Sequence, residues 1–377
     1  MNTTIADRVR AWTFDQALPF WSAHGLDLER GGYVESLNMD GTRSSADYKR
    51  VRVLCRQIYV FSHASIMGWS AGTELARHGF QFLITHGWLG DTRGWARTLN
   101  ADGTIRDATA DLYDNAFALF ALSWYYRASG DPAAQVWAMQ TVKFITDHLR
   151  HPTGIGFMHW KPLTGHRQQN PHMHLLEACL ASFEAMPDER TAKVSVEIAG
   201  LFQSHFFDAD SRTLGEFFDD DWSRAKNLDG QMIEPGHQFE WAWILVNLKR
   251  LLGLDLADHA RALVGFGEEF GINTATKATY DGVWDTGRLR DGKSRVWPNT
   301  ERIKAAVAMY ELDGKNPALV FDQSAGLLLD RYLAMTPQGC WVDQLDEAGS
   351  AISKTIPSST LYHIFLAFSE LLRVSDA

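Results

Sequence analysis

The stretch that decides the fold runs Asn100-Ala101-Asp102-Gly103-Thr104, then Ile105 to Ala110, then Asp111-Leu112-Tyr113-Asp114-Asn115-Ala116-Phe117-Ala118-Leu119-Phe120-Ala121-Leu122. An Asp-Gly pair supplies the positive φ of a tight hairpin. The run from Ala116 to Leu122 is apolar on every face, which marks a buried helix. The same sentence recurs along the chain. Its turns are Asn38-Met39-Asp40-Gly41-Thr42, Asn100 to Thr104, Pro162-Leu163-Thr164-Gly165, Arg290-Asp291-Gly292-Lys293 and Glu347-Ala348-Gly349-Ser350. Glycine and aromatic residues precede them: Gly31-Gly32-Tyr33-Val34, Arg93-Gly94-Trp95, Gly154-Ile155-Gly156-Phe157, Tyr280-Asp281-Gly282-Val283-Trp284 and Gly339-Cys340-Trp341-Val342. Leu214-Gly215-Glu216-Phe217-Phe218, followed by Asp219-Asp220-Asp221, is a degenerate sixth copy.

A helical apolar pattern follows each turn, starting near residues 46, 109, 170, 234, 299 and 356, at a period of about 57–65 residues. A second, more charged helix follows the first five, near 70–88, 132–150, 188–206, 256–271 and 316–335. A helix near 5–22 supplies the sixth partner. Twelve helices in six pairs, with no polar capping units at the ends, predict an all-α (α/α)6 barrel with short β-hairpins at one end; an open superhelix is the alternative. The whole span 1–377 is expected to form this one catalytic domain.

Composition bounds the function. The chain has 377 residues, is 45% hydrophobic and 22% charged, and its net charge of −10 comes with no basic block, which speaks against disorder, nucleic acid and anionic membranes. No apolar run approaches a bilayer span, and the start does not read as a signal peptide. Cys55, Cys179 and Cys340 are few, scattered and set among apolar neighbours, so buried thiols and a reducing, cytoplasmic setting are expected. The 14 Trp either fill a large core or stack on sugar rings; composition alone favours the core.

The inner helices should be apolar throughout, yet their beginnings are polar. The first carries Arg52 and Arg56. The second opens Asp111-Leu112-Tyr113-Asp114-Asn115, the third Asn170-Pro171-His172-Met173-His174, and the fourth Glu234-Pro235-Gly236-His237-Gln238-Phe239-Glu240. The fifth opens Trp297-Pro298-Asn299-Thr300-Glu301-Arg302, and the sixth carries Tyr362-His363. Burying such groups without partners costs several kcal/mol each, so six polar starts at one barrel end imply one shared pocket. Asp111, Asn170 and Thr300 fit helix capping as well as they fit substrate contact. His237 and His363 do not fit capping. His172 is read as turned outward, and His159 as rim-lining or exposed. A metal site is disfavoured, since there is no HExxH or HxxxH element and the histidines come from distant repeats. No nucleophile elbow, dinucleotide fingerprint or Walker loop is present, so no cofactor is expected. Glu240, Glu301, Asp111 and Asp114 leave room for a two-carboxylate glycosidase.

These residues resemble the N-acylglucosamine 2-epimerase superfamily, with its sugar 2-epimerases, cellobiose 2-epimerases and mannose-type aldose–ketose isomerases. The matching segments are Cys55-Arg56-Gln57-Ile58-Tyr59, Asp111 to Phe117, Asn170 to Ala178, Glu234 to Trp241, Trp297 to Glu301 and Tyr362-His363. The resemblance implies that His237 and His363 are the acid/base pair, that Arg56 lies beside the reacting oxygens and that Glu240 supports His237. It implies that His174 and Asn170 assist ring opening and hold hydroxyls, and that Tyr113, Trp297 and Glu301 line the pocket. Arg52, one of the polar residues at the start of the first inner helix, is a further substrate-binding candidate. Imidazole can both take and return a proton near neutral pH, and a guanidinium carries a permanent charge for an enediolate. The ending Pro357 to His363 resembles the mannose isomerase branch. The expected activity is metal-free interconversion of free D-mannose and D-fructose through an enediol, by a monomer or homodimer. Alternatives are 2-epimerisation of mannose, cellobiose or an acylamino sugar, glycoside hydrolysis, and a non-catalytic sugar- or protein-binding role.

Overall fold

The computed structural model describes residues 3–376; residues 1, 2 and 377 of the expected catalytic span lie outside the described residues. Six inner helices form a ring: Val51–Ile66, Leu112–Ser129, Asn170–Ala185, Pro235–Leu252, Val296–Asp313 and Thr360–Ser375. Each packs against the next, and the last packs against the first, so the ring closes and the open superhelix is overturned. Each inner helix is backed by an outer one. These run over Gly72–His86, Pro132–His148, 189–206, Ala257–Phe270 and 318–332, with 5–24 behind the last inner helix. The (α/α)6 barrel is the observed architecture.

Local chemistry accounts for the two helix classes. The outer helix Gly72–His86 buries Ala76, Gly79, Phe80 and Leu83, one stripe at helical spacing, with Gly72 and Phe82 beside it, and exposes Glu74, Arg77, Gln81 and Thr85 on the other side. The inner helix Leu112–Ser129 buries an unbroken run from Asp114 to Ser123. Asp111 caps it by accepting from the Tyr113 and Asp114 amides, and Gly130 ends it in the left-handed region at φ 68°. Six of the 14 Trp, Trp12, Trp21, Trp95, Trp222, Trp241 and Trp341, are buried in the core, as composition suggested.

The strands make a belt at the N-terminal ends of the inner helices, and their pairing differs from the expected in-repeat hairpins. The strand entering each inner helix pairs antiparallel with the strand of the next repeat. Tyr48–Arg50 meets Thr98–Asn100, Ala110–Asp111 meets Trp160–Lys161, and Arg167–Gln168 meets Phe217–Phe218. Met232–Ile233 meets Gly282–Trp284, and Ser294–Arg295 meets Gln344–Leu345. Thr355–Pro357 returns to Ser36–Asn38, so the belt closes where the ring does. In-repeat pairing beyond a single bridge occurs, among the described residues, at Thr98–Asn100 with Ile105–Asp107, at Gly282–Trp284 with Leu289–Asp291 and at Phe207–Asp208 with Thr213–Leu214. The turn expected at Arg290–Lys293 falls instead at 285–288, where Gly287 rather than Gly292 takes the positive φ and the Trp284 amide donates to Arg288. The first and last inner helices begin at 51 and 360, later than expected, because the belt strand occupies the residues before them.

Candidate active site

The side chains that converge do so from the first two turns of the inner helices. His237 is the third residue of its helix, His363 the fourth and His174 the fifth of theirs. All three are buried, and each imidazole has its own carboxylate. His237 Nδ1 lies 2.9 Å from Glu216 Oε2, His363 Nδ1 2.9 Å from Glu301 Oε1, and His174 Nδ1 3.0 Å from Glu177 Oε2. A carboxylate on Nδ1 fixes the ring and leaves Nε2 as the working atom.

Trp297 stands between the first two, with ring centroids 5.0 Å from His237 and 5.9 Å from His363. Their environments push them in opposite directions. Burial pulls the His237 pKa down, but the charges of Glu216, Glu234 and Glu240 and the Glu216 hydrogen bond outweigh it, so it is pushed up to about 9. Burial holds His363 well below the ordinary histidine range, helped by the positive charges of Arg56, Lys304 and His237 around it. Near neutrality one imidazole is charged and the other is a bare base, the arrangement that separates acid from base in one pocket.

Arg56 is buried among rings, 4.3 Å from the Phe117 centroid and 4.9 Å from that of Tyr362. It donates to the Tyr113 hydroxyl at 2.7 Å and to the Ser359 carbonyl at 3.4 Å, and no carboxylate among the described residues pairs with it within 4.0 Å. Arg52 is different: it forms a two-pronged pair with Asp114 at 2.8 and 3.0 Å and lies over the Tyr113 ring. Asn170 is the first residue of its helix rather than its cap, and its buried Oδ1 has no hydrogen-bond partner. Thr300 does not cap either, since its helix begins at Val296 and its hydroxyl donates back to the Trp297 carbonyl. Asp111 alone of the three is a cap.

Two residues stand in other places than the sequence implied. The carboxylate bonded to His237 is Glu216, not Glu240: Glu240 lies one turn further down the same helix, in the floor, 3.7 Å from Lys304, and reaches His237 only through its charge. His159 is buried, with Nε2 2.9 Å from the Thr164 carbonyl, and is not exposed. His172 does face away from the funnel, accepting from the Phe157 amide at Nε2 while Nδ1 meets the Gln168 carbonyl.

Sequence reading missed Glu216, Glu177, Gln169 and Lys304. Gln169 donates to Glu216 at 2.8 Å and accepts from Trp241 Nε1 at 2.7 Å, so it braces the partner of His237. A signal for Glu216 existed. The residue before each belt strand is polar in all six repeats: Glu35, Arg97, His159, Glu216, Asp281 and Asp343. Glu35, Glu216 and Asp281 each accept from the amide that opens the inner helix of their repeat, at Arg50, Glu234 and Arg295.

Two sets of donors lie within 4.8 Å of one another, His174 with Glu177 and Glu240, and Glu240 with Glu301 and His363. The ammonium of Lys304 sits in that layer, 2.5 Å from Glu301, so the layer already contains a cation. A separate cavity of about 260 Å³ at the opposite end of the barrel, among His63, Trp124, Arg127 and Arg250, holds neither His237 nor His363. No helix among the described residues is long and apolar enough to cross a membrane.

Comparison with known proteins agrees with this architecture. The N-acylglucosamine 2-epimerase (GlcNAc 2-epimerase) family matches residues 32–367. A Rhizobium meliloti (strain 1021) protein named mannose-6-phosphate isomerase is 35% identical over 376 residues, covering 97% of this chain and 96% of its own. A D-mannose isomerase of Thermobifida fusca is 28% identical over 317 residues, covering 78% of this chain and 76% of its own. The fold is that of the cellobiose 2-epimerase from Bacillus thermoamylovorans B4167, with a TM-score of 0.89 at 20% identity over 98% of this chain and 99% of that one. With the barrel, the motifs and the match in agreement, the chain belongs to the N-acylglucosamine 2-epimerase family and is an enzyme of sugar isomerisation or epimerisation.

Proposed function

We propose that the enzyme interconverts free D-mannose and D-fructose by proton transfer through an enediol. The observation that carries the reading is the pair His237 and His363, opposite in charge state on either side of Trp297, with Arg56 in the same pocket. His174, held by Glu177, is placed to shuttle the ring-opening proton of the bound hemiacetal. In the open-chain aldose, neutral His363 takes the proton from C2 through Nε2. The electron pair moves to the C1–C2 bond, and the carbonyl oxygen gathers charge that Arg56 and protonated His237 stabilise. His363 then returns the proton to C1, while His237 gives its proton to the C1 oxygen and takes the one released by the C2 hydroxyl, so that a C1 hydroxyl and a C2 carbonyl form and the ketose results. Trp297 offers an apolar face to the sugar, and Asn170 Oδ1 is a free acceptor for a hydroxyl.

A free sugar is favoured over a phosphorylated one because three guanidiniums around the starts of the inner helices are already engaged. Arg52 pairs with Asp114, Arg97 with Asp111 and Arg295 with Asp281. One observation supports a second reading. Protonated His237 is a proton donor, and return of a proton to the opposite face of C2 would give 2-epimerisation at the same site.

The test is proton NMR of D-mannose with EDTA-treated enzyme in D2O, alongside mannose 6-phosphate. Fructose labelled at C1 is expected, with little turnover of the phosphate. Glucose labelled at C2 with little fructose would move the enzyme to epimerisation. Release of reducing sugar from a glycoside without interconversion would overturn the reading.

A further inference from the structure

Beneath the pocket lies a layer of charge that the proposed chemistry does not use directly. Lys304 is completely buried, on the same helix as Glu301 and one turn further in. Its Nζ lies 2.5 Å from Glu301 Oε2, 3.7 Å from Glu240 Oε1 and 4.5 Å above the Trp243 ring. Glu301 uses its other oxygen on His363 Nδ1. Three buried glutamates, Glu177, Glu240 and Glu301, thus share a floor with one ammonium.

We propose that Lys304 is a positioning residue: it keeps Glu301 an anion, so that Glu301 can only accept from His363 Nδ1–H and His363 keeps a bare Nε2 facing the sugar. The inference rests on His363 being the base of the proposed reaction. The logic is one of hydrogen-bond polarity. A carboxylate only accepts, whereas a carboxylic acid also donates. Burial, with the charge of Glu240, holds the Glu301 pKa well above the ordinary carboxylate range; Lys304, through its charge and its contact at 2.5 Å, is the neighbour that opposes them, so the anion of Glu301 rests on that contact. Without the ammonium, Glu301 takes a proton and gives it to Nδ1 as a hydrogen bond. The imidazole must then carry its own hydrogen on Nε2, where it cannot act as a base. Other groups facing Glu301 are Thr300 on its own helix, Glu240 and Glu177 on neighbouring inner helices, Tyr59 on the first, and Tyr362 beside His363. None of them is a cation, so none replaces Lys304.

The experiment compares wild type with Lys304→Met and Lys304→Arg, using nitrogen-15 histidine spectra of the sugar-free enzyme, with the His363 signal assigned by its loss in His363→Gln. Wild type and Lys304→Arg are expected to show the Nδ1–H form of His363, and Lys304→Met the Nε2–H form. On the sugar that wild type turns over, kcat of Lys304→Met is expected to fall about 10²-fold or more at neutral pH, the scale of a misplaced tautomer, with KM changed little. It should recover as pH rises and Glu301 ionises. A purely packing role predicts a uniform loss with no such recovery. If Lys304→Met does not fold, Lys304→Gln serves as the neutral variant. A folded neutral variant whose His363 keeps Nδ1–H overturns the inference. The spectra need no substrate, so a wrong sugar assignment and a wrong role for Lys304 give different results.

Discussion

At the residue scale, three carboxylate–imidazole pairs around one arginine define the pocket. The two central histidines are predicted to be separable by pH. His237→Asn and His363→Asn should each lose about 10²-fold or more in kcat while remaining folded, checked by steady-state kinetics and circular dichroism. Glu216→Gln removes the first of the anions that raise His237. The alkaline limb of the kcat profile, where His237 gives up its proton, should therefore move from about 9 toward neutrality. The same group affects stability. Its folded pKa lies above the unfolded value of 6.5, so its contribution is fully present below pH 6.5 and is lost as pH rises through about 9. That contribution is about 3 kcal/mol, and denaturant melts of His237→Asn across this window should show a correspondingly flatter dependence on pH. His237, His363, His174 and Arg56 were legible in the sequence because a polar residue in an apolar helix stands out. Glu216, Glu177 and Lys304 were not singled out. Their partners are 21, 3 and 3 positions away, and charged residues at the last two spacings are ordinary on any exposed helix. Only the closed ring makes those faces buried.

At the scale of elements, glycines and caps set how each repeat turns from outer helix to belt. Gly94 lies at φ 66°, and a Cβ there would stand 2.3 Å from the Phe144 ring and 2.7 Å from Asn115 Oδ1. Gly94→Ala therefore combines backbone strain with overpacking and should cost about 2–4 kcal/mol, read as a lowered Tm. Asp111→Ala removes the cap of Leu112–Ser129 and should cost about 1 kcal/mol from capping alone. The helices were legible because period and capping are local properties. The strand pairing was not: each belt strand has two or three residues, and its partner lies about 50 positions away, in a different repeat.

At the scale of the molecule, the ring depends on a seam where the chain's beginning meets its end. Trp21 stacks on Trp341 at 4.9 Å and donates to the Gly339 carbonyl, while Trp12 meets Phe368 edge-on at 5.7 Å. Trp21→Ala should cost about 3–5 kcal/mol, measured by denaturant unfolding, because it opens a cavity in a fully buried stack and leaves the Gly339 carbonyl without that donor. The sequence by itself determined the six repeats, the two helix classes and the end of the barrel at which chemistry gathers, since each follows from periodicity and from polar residues where an apolar helix would bury them. The tertiary structure alone decided which carboxylate holds which histidine, which cation sits in the floor, and that the charges of His237 and His363 diverge. Those depend on distances between repeats and on burial from every side, and neither exists until the ring is closed.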